Sequence, residues 1–163
     1  MISNNLSNLL NEQIQREFSS AYLYLGMSCH FESVGLAGFA SWMHEQAKEE
    51  MEHAMKIYHF LFEIGAKPIL KAIPEVKVSY DAPKSVVEMV LKHEEGITKS
   101  INDLYQVSLD EHDFKTMNFL SWFVNEQVEE EANVHAILDK FKYCENNSGL
   151  LLIDHLLSKR AMK

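Results

Sequence analysis

The chain has 163 residues, 47% of them hydrophobic and 24% charged, which is the length and composition of one domain, 1–163, able to bury a core without staples. Its formal net charge of −9 excludes a nucleic-acid grip, which needs a basic face, and suits a handler of cations. Two cysteines, Cys29 and Cys144, are too few for a disulfide framework and read as reduced thiols.

The first residues, 1–11, are polar and carry no secretory signal. Over 6–31 apolar residues recur at Leu6, Leu9, Leu10, Ile14, Phe18, Ala21 and Leu25, the three-and-four spacing of a helix. The stretch 35–38, with a glycine at each end, reads as a turn. A second helix over 39–64 places Trp42, Met43, Ala47, Met51, Ala54, Ile57, Tyr58 and Leu61 on one stripe, and Gly65 is its natural stop. All three prolines, Pro68, Pro74 and Pro83, fall between 68 and 83, so 66–81 reads as an extended connection. Asp81 is the expected cap of a third helix, with Pro83 in its first turn and an end near Leu109. Asp113 caps a fourth helix running to about Tyr143. Residues 146–149 read as a turn, and 150–159 as a short, very apolar fifth helix.

The length of the 66–81 connection constrains topology. A helix of about 26 residues is roughly 39 Å long, and extended chain over 66–81 reaches about 50 Å. The connection can therefore travel the length of a bundle, leaving helices two and three parallel while the other neighbours turn back through short loops. No apolar stretch reaches the ~20 residues of a bilayer span, so no membrane association is expected and the cytosol is the default address.

Glu50-Met51-Glu52-His53 carries the chemistry. Residues three apart share a helix face, so Glu50 and His53 can grip one cation from one side while Glu50 bridges to a second. Alone the motif is weak, because Glu and His are common on solvated faces. Its company strengthens it. The first helix offers Glu17 inside its apolar pattern, the third offers Glu94 between Leu91 and Ile97, and the fourth offers Glu130 one turn from Gln127 and Val134. Uncompensated buried carboxylates are too costly to appear once on each of four helices by accident, and a pair of central cations is the simplest compensation. Carboxylates with one imidazole and no thiolate pair favour iron. Glu49, Glu126 and Glu129 read on their own as a solvated acidic face.

The segments Leu10-Asn11-Glu12-Gln13 with Glu17, Glu49-Glu50-Met51-Glu52-His53, Lys92-His93-Glu94, Asn118-Phe119-Leu120-Ser121-Trp122 and Glu126-Gln127-Val128-Glu129-Glu130-Glu131 together resemble the bacterial non-haem ferritins over nearly the whole chain. The resemblance implies an all-α, ferritin-like four-helix bundle with one long crossover and a short C-terminal fifth helix, a class whose bundle centre holds two metals. It implies a first iron on Glu17, Glu50 and His53, and a second on Glu50, Glu94 and Glu130 with Gln127 nearby. A third iron site would match Glu49, Glu126, Glu129 and Glu130. Tyr24, two turns beyond Glu17, would lend an electron during oxygen reduction; Trp122 is a weaker candidate for that role and reads as core. The implied activity is a ferroxidase that oxidises Fe(II) with O2 or H2O2 and stores Fe(III) as mineral inside a homo-oligomeric shell of 24 subunits.

Three departures sharpen the expectation. Met51 stands where haem-containing bacterioferritins bind haem, but Gln127 and Glu130 stand where their second Glu-x-x-His would be, so no haem is expected. The missing second Glu-x-x-His and the absence of a Cys-x-x-Cys module also disfavour a rubrerythrin-like peroxidase. Residues 114–120 lack the carboxylates that line three-fold pores in animal ferritins. The fifth helix disfavours a miniferritin, and its apolar face is expected to bury where subunits meet. A purely structural helical assembly protein is the reading from a different class.

Overall fold

Five helices and, among the described residues 2–144 and 146–159, no strand make up the computed structural model: α1 (Asn4–Ser33), α2 (Ala37–Glu63), α3 (Pro83–Asp110), α4 (Phe114–Phe141) and α5 (Asn147–Ser158). Local chemistry sets their ends. The Ser3 hydroxyl accepts from the Leu6 N–H at 3.0 Å, and the Asp113 carboxylate accepts from the Thr116 N–H at 3.3 Å, each satisfying an otherwise orphaned first-turn donor. Two expected boundaries shift. Ala82, not Asp81, is the cap residue of α3 and makes no side-chain cap bond; Pro83 begins that helix with φ already fixed. Residues 147–149 are not a turn but the first turn of α5, because the Asn146 amide oxygen accepts from the N–H groups of Ser148 (3.0 Å) and Gly149 (3.2 Å).

Helices α1, α2 and α3 end in the same double hydrogen bond around a left-handed residue. Gly35 (φ 79°), Gly65 (φ 76°) and His112 (φ 55°) occupy that position. After α2, Gly65 N–H donates to Phe62 C=O and Ala66 N–H to Leu61 C=O, which satisfies the last free carbonyls. Histidine pays a steric penalty there that glycine does not. Replacing His112 with glycine is therefore expected to raise stability by about 0.5–1 kcal/mol. A denaturant melt showing a loss instead would mean that the stacking of His112 on Phe114 outweighs the strain.

Two apolar clusters fill the bundle. One gathers the end of α1 (Tyr24, Met27, Phe31), the start of α2 (Phe39, Trp42, Met43), the start of α3 (Val86, Val87, Val90) and the end of α4 (Val134, Ile137). The other joins the opposite ends: Leu6, Leu10 and Ile14 with Ile57, Phe60 and Leu61, Ile97, Ile101 and Leu104, and Leu120 and Phe123. Cluster membership fixes direction: α1 is antiparallel to α2, α3 to α4, and α2 runs parallel to α3. The residues between α2 and α3 form the extended crossover, and it tracks α1. The Asn11 amide oxygen accepts from Ile69 N–H (2.6 Å), the Gln15 amide donates to Ala72 C=O (2.6 Å), and Tyr80 N–H donates to His30 Nδ1 (3.3 Å). At Gly26 the strap lies so close that a Cβ would sit 2.5 Å from the Lys77 carbonyl oxygen, so this helical position has to be glycine.

The buried stripe of α1 runs through Glu17, Ala21, Tyr24, Met27 and Phe31, while Leu25, expected inside, is exposed. α5 docks on the end of its own bundle. Ile153 and Leu157 are buried, and the Asp154 carboxylate accepts from the Phe39 N–H at 2.9 Å, capping the start of α2 from 115 residues away. Gly38 permits this approach, since a Cβ there would lie 1.7 Å from the Asp154 carbonyl oxygen. Leu151, Leu152 and Leu156, on the other face of α5, remain exposed. Its own bundle thus covers one face of α5 and leaves the other exposed. Among the described residues no helix is long and apolar enough to cross a membrane, and both cysteines are free.

Candidate metal centre

Between the two apolar clusters each long helix places polar side chains in phase with its buried stripe. Glu17 comes from α1, Glu50 and His53 from α2, Glu94 from α3, and Gln127 and Glu130 from α4; all are buried, with Glu17 and Glu94 at 0% exposure. Burial of Glu17, Glu50 and Glu130 next to other carboxylates opposes their ionisation. Loss of water pushes the Glu17 carboxyl well above the usual range, with the Glu50 charge adding to it. Burial does the same to Glu50, reinforced by Glu94. Glu130 rises to about 7, chiefly through burial and then through Glu94. Among the described residues no lysine or arginine is buried beside them to neutralise the charge.

Ligand atoms of Glu17, Glu50 and His53 lie within 4.8 Å of one another, and so do those of His53, Glu126 and Glu130. The two groups share His53. Its Nδ1 is 3.6 Å from Glu50 Oε2 and its Nε2 is 3.9 Å from Glu126 Oε1. Glu17 Oε2 and both oxygens of Glu50 accept from no amide, hydroxyl or backbone donor; the two carboxyls bond to each other, which requires one of them to keep its proton. Buried polar atoms are almost always satisfied, so three carboxylate oxygens with no such donor, beside an imidazole nitrogen, have the chemistry of a divalent-cation site.

Glu94 falls in neither group. The Tyr24 hydroxyl donates to its Oε1, and the Gln127 amide donates to its Oε2 at 3.1 Å. Burial and the Glu94 charge push the Tyr24 phenol well above its ordinary range. Glu49 is half-buried, and its charge raises both Glu50 and Glu130. Glu126 is half-buried within the second group, whereas Glu129 is exposed and outside both groups. Glu131 accepts a hydrogen bond from the Thr98 hydroxyl. Trp122, read as core, is 38% exposed; its ring packs edge-on against His53 at 5.4 Å and carries Lys56 Nζ 4.1 Å from its centroid.

Sequence reading missed two buried amides. Gln13 Nε2 donates to Glu17 Oε1 at 2.8 Å, and Gln46 Nε2 donates to Glu130 Oε2 at 2.7 Å. Each stands four residues before a carboxylate of the centre, Glu17 and Glu50, on the same helix face. A polar residue in phase with a buried stripe is the signal that would have found them.

Comparison with known proteins agrees with this picture. The family model described as a ferritin-like domain matches residues 7–144. A bacterial non-haem ferritin of Bacteroides fragilis (strain 638R) is 40% identical, the match covering 98% of this chain and 100% of the relative. One from Campylobacter jejuni (strain ATCC 700819 / NCTC 11168) is 37% identical over 99% of this chain and 98% of the relative. An open-pore ferritin from the hyperthermophilic archaeon Archaeoglobus fulgidus superposes with a TM-score of 0.95 at 43% identity, covering 97% of this chain and 98% of that one. With its bundle, its crossover and its carboxylate-lined centre, the chain belongs to the ferritin family.

Proposed function

We propose that this protein stores iron, oxidising Fe(II) at a paired site and holding Fe(III) as mineral inside a homo-oligomeric shell. The observation that carries the reading is the trio of buried oxygens on Glu17 and Glu50, beside His53, that no amide, hydroxyl or backbone donor satisfies. Glu17, Glu50 and His53 would take the first Fe(II). Glu50, Glu94 and Glu130 would take the second, with Gln127 holding Glu94. Two adjacent Fe(II) lose one electron each, and one O2 accepts both with two protons to give H2O2, so no one-electron oxygen radical is released; H2O2 could replace O2 as the oxidant. Tyr24, bonded to Glu94, would lend a further electron. Glu49, Glu126, Glu129 and Glu130 would form a later, third site. Iron is substrate and cargo in this scheme, with no haem, nucleic acid or membrane partner, and the protein would work in the cytosol.

Storage needs a closed compartment, because ferric hydroxide otherwise precipitates in bulk water, and a single bundle encloses none. The exposed Leu151, Leu152 and Leu156 on α5 give each subunit apolar surface that closed symmetry would cover, and 24 copies is the family's arrangement. The test is an anaerobic Fe(II) titration of the full-length protein followed by admission of air. Ferric absorbance should rise rapidly for about two Fe(II) per subunit, and sedimentation should show one large closed particle. A monomer or dimer at micromolar concentration would remove the storage reading and leave an iron oxidase. Absence of rapid oxidation would remove the oxidase.

A further inference from the structure

The three side-chain amides of the centre divide its carboxylates among themselves. Gln13 holds Glu17, Gln127 holds Glu94 and Gln46 holds Glu130, while Glu50, the bridging candidate, has none. An amide orients a carboxylate without bringing a positive charge that would compete with a cation for it. Gln46 differs from the other two in what it spans. Gln13 acts within α1, and Gln127 acts between α3 and α4, which pack directly. Gln46 reaches from α2 to α4, and no Cα of α2 lies within 8 Å of one of α4. The α2–α4 seam is therefore made by side chains, among them the Phe60–Phe119 stack (3.8 Å) and the edge-on His53–Trp122 contact (5.4 Å), and Gln46 is a side chain of α2 that hydrogen-bonds to Glu130 itself. Glu130 also has two prospective duties. Its charge is felt at Glu50, in the paired centre. One of its oxygens also groups with His53 Nε2 or Nδ1 and Glu126 within 4.8 Å.

We propose that Gln46, fully buried and 2.7 Å from Glu130 Oε2, is the positioning residue that fixes Glu130 across the α2–α4 seam and so builds the second cation position. The proposal rests on the paired-cation reading above. Loss of the amide frees Glu130 to rotate, and the cation position that depends on Glu130 weakens, while the Glu17–Glu50–His53 position, whose carboxylates accept no hydrogen bond from Gln46, keeps its affinity. Removal of a group that orients a metal ligand lowers affinity by about 10–100-fold.

The experiment is an anaerobic Co(II) titration of the full-length, iron-free assembly, followed by visible absorbance. Gln46→Met keeps the length and removes the donor; Gln46→Asn keeps an amide that is too short to reach. Wild type should take up two Co(II) per subunit in the centre. In both variants one equivalent should bind at least about 10-fold more weakly and the other as in wild type. Both equivalents binding with wild-type affinity in Gln46→Met would overturn the proposal, as would both weakening together, the signature of general disruption. If Gln46→Met does not assemble, the same readings on Gln46→Asn decide. Failure of wild type itself to bind a Co(II) pair would instead sink the underlying metal-centre reading.

Discussion

Replacing Glu50 with glutamine is expected to stop the rapid oxidation of Fe(II) and, at the same time, to raise the melting temperature of the iron-free protein. Both effects come from one carboxylate. Glu50 is the ligand shared by the two proposed iron positions, so its loss should lower the initial rate by about 100-fold or more, beyond the loss expected from removing a mere orienting group. In the iron-free protein the same side chain is a liability. Its two oxygens have no amide, hydroxyl or backbone donor, and burial and the Glu94 charge both oppose its ionisation. Glutamine has nearly the same shape, carries no charge, and offers N–H donors beside the orphaned Glu17 Oε2. Satisfying one buried group is worth about 1–3 kcal/mol, which is several degrees in a protein of this size. Alanine at this position would also remove the bridge but would leave a void, so glutamine is the cleaner separation of charge from volume. Glu75→Gln, at an exposed position on the crossover, should change neither initial rate nor melting. A Glu50→Gln protein that oxidises iron at the parental rate would refute its bridging role; one that melts lower when iron-free would refute the picture of stored electrostatic strain.

Much of this architecture was legible because its signals are local. Three-and-four apolar spacing, three prolines confined to 68–83 and the glycines at 35 and 65 mark the helices and their stops. The crossover followed from a length comparison alone. Reading failed where the determining partner lies far away in the chain. Asp154 caps α2 across 115 residues, and Gly26 and Gly38 are required by a strap and a helix that pack onto them; no window around those residues contains the partner. Leu25 misled because an apolar side chain is not evidence of its own burial: the stripe that turns inward passes through Tyr24 and Met27. Trp122 failed for the same reason. At the centre, carboxylates announced themselves through Glu50 and His53, three apart. Gln13 and Gln46 did not, because a glutamine on a helix is unremarkable until the phase of the buried stripe is compared with it. The third site is the least legible part. Glu126 and Glu130 come together with His53, but Glu129 points into solvent and stays outside that group.

The iron-free protein is also expected to lose stability as pH rises from about 5 to about 7.5, and cations should reverse that dependence. Glu17, Glu50 and Glu130 all have folded-state values above the ordinary carboxylate value of 4.5, with Glu130 at about 7. In this window the unfolded chain has released protons that the folded chain still holds. Stability therefore falls with rising pH, by about 1.4 kcal/mol per unit for each proton retained. For Glu130 the contribution is fully present below 4.5 and is lost as pH passes through about 7; the other two shift in the same direction. One group opposes them. Burial depresses His93 below its ordinary 6.5, and a depressed histidine contributes stability above that value that is lost on acidification. Three carboxylates against one histidine leave the net slope negative. Lowered values at half-buried Glu45 and exposed Asp139 act only nearer the acid end, below the window. Reduction of the overall charge of −9 on acidification works in the same direction as the carboxylates, so a control is needed, and Glu130→Gln supplies it by flattening the slope without altering surface charge elsewhere. Adding Co(II) replaces the retained protons with cations, and because ligands must deprotonate to bind, stability should then increase with pH. Melting curves in chelator and in anaerobic Co(II), at two pH values for both proteins, measure all four slopes. A chelated wild type that melts higher at about pH 7.5 than at about pH 5.5 would mean that the buried carboxylates are already ionised without a cation, and that something other than metal compensates them.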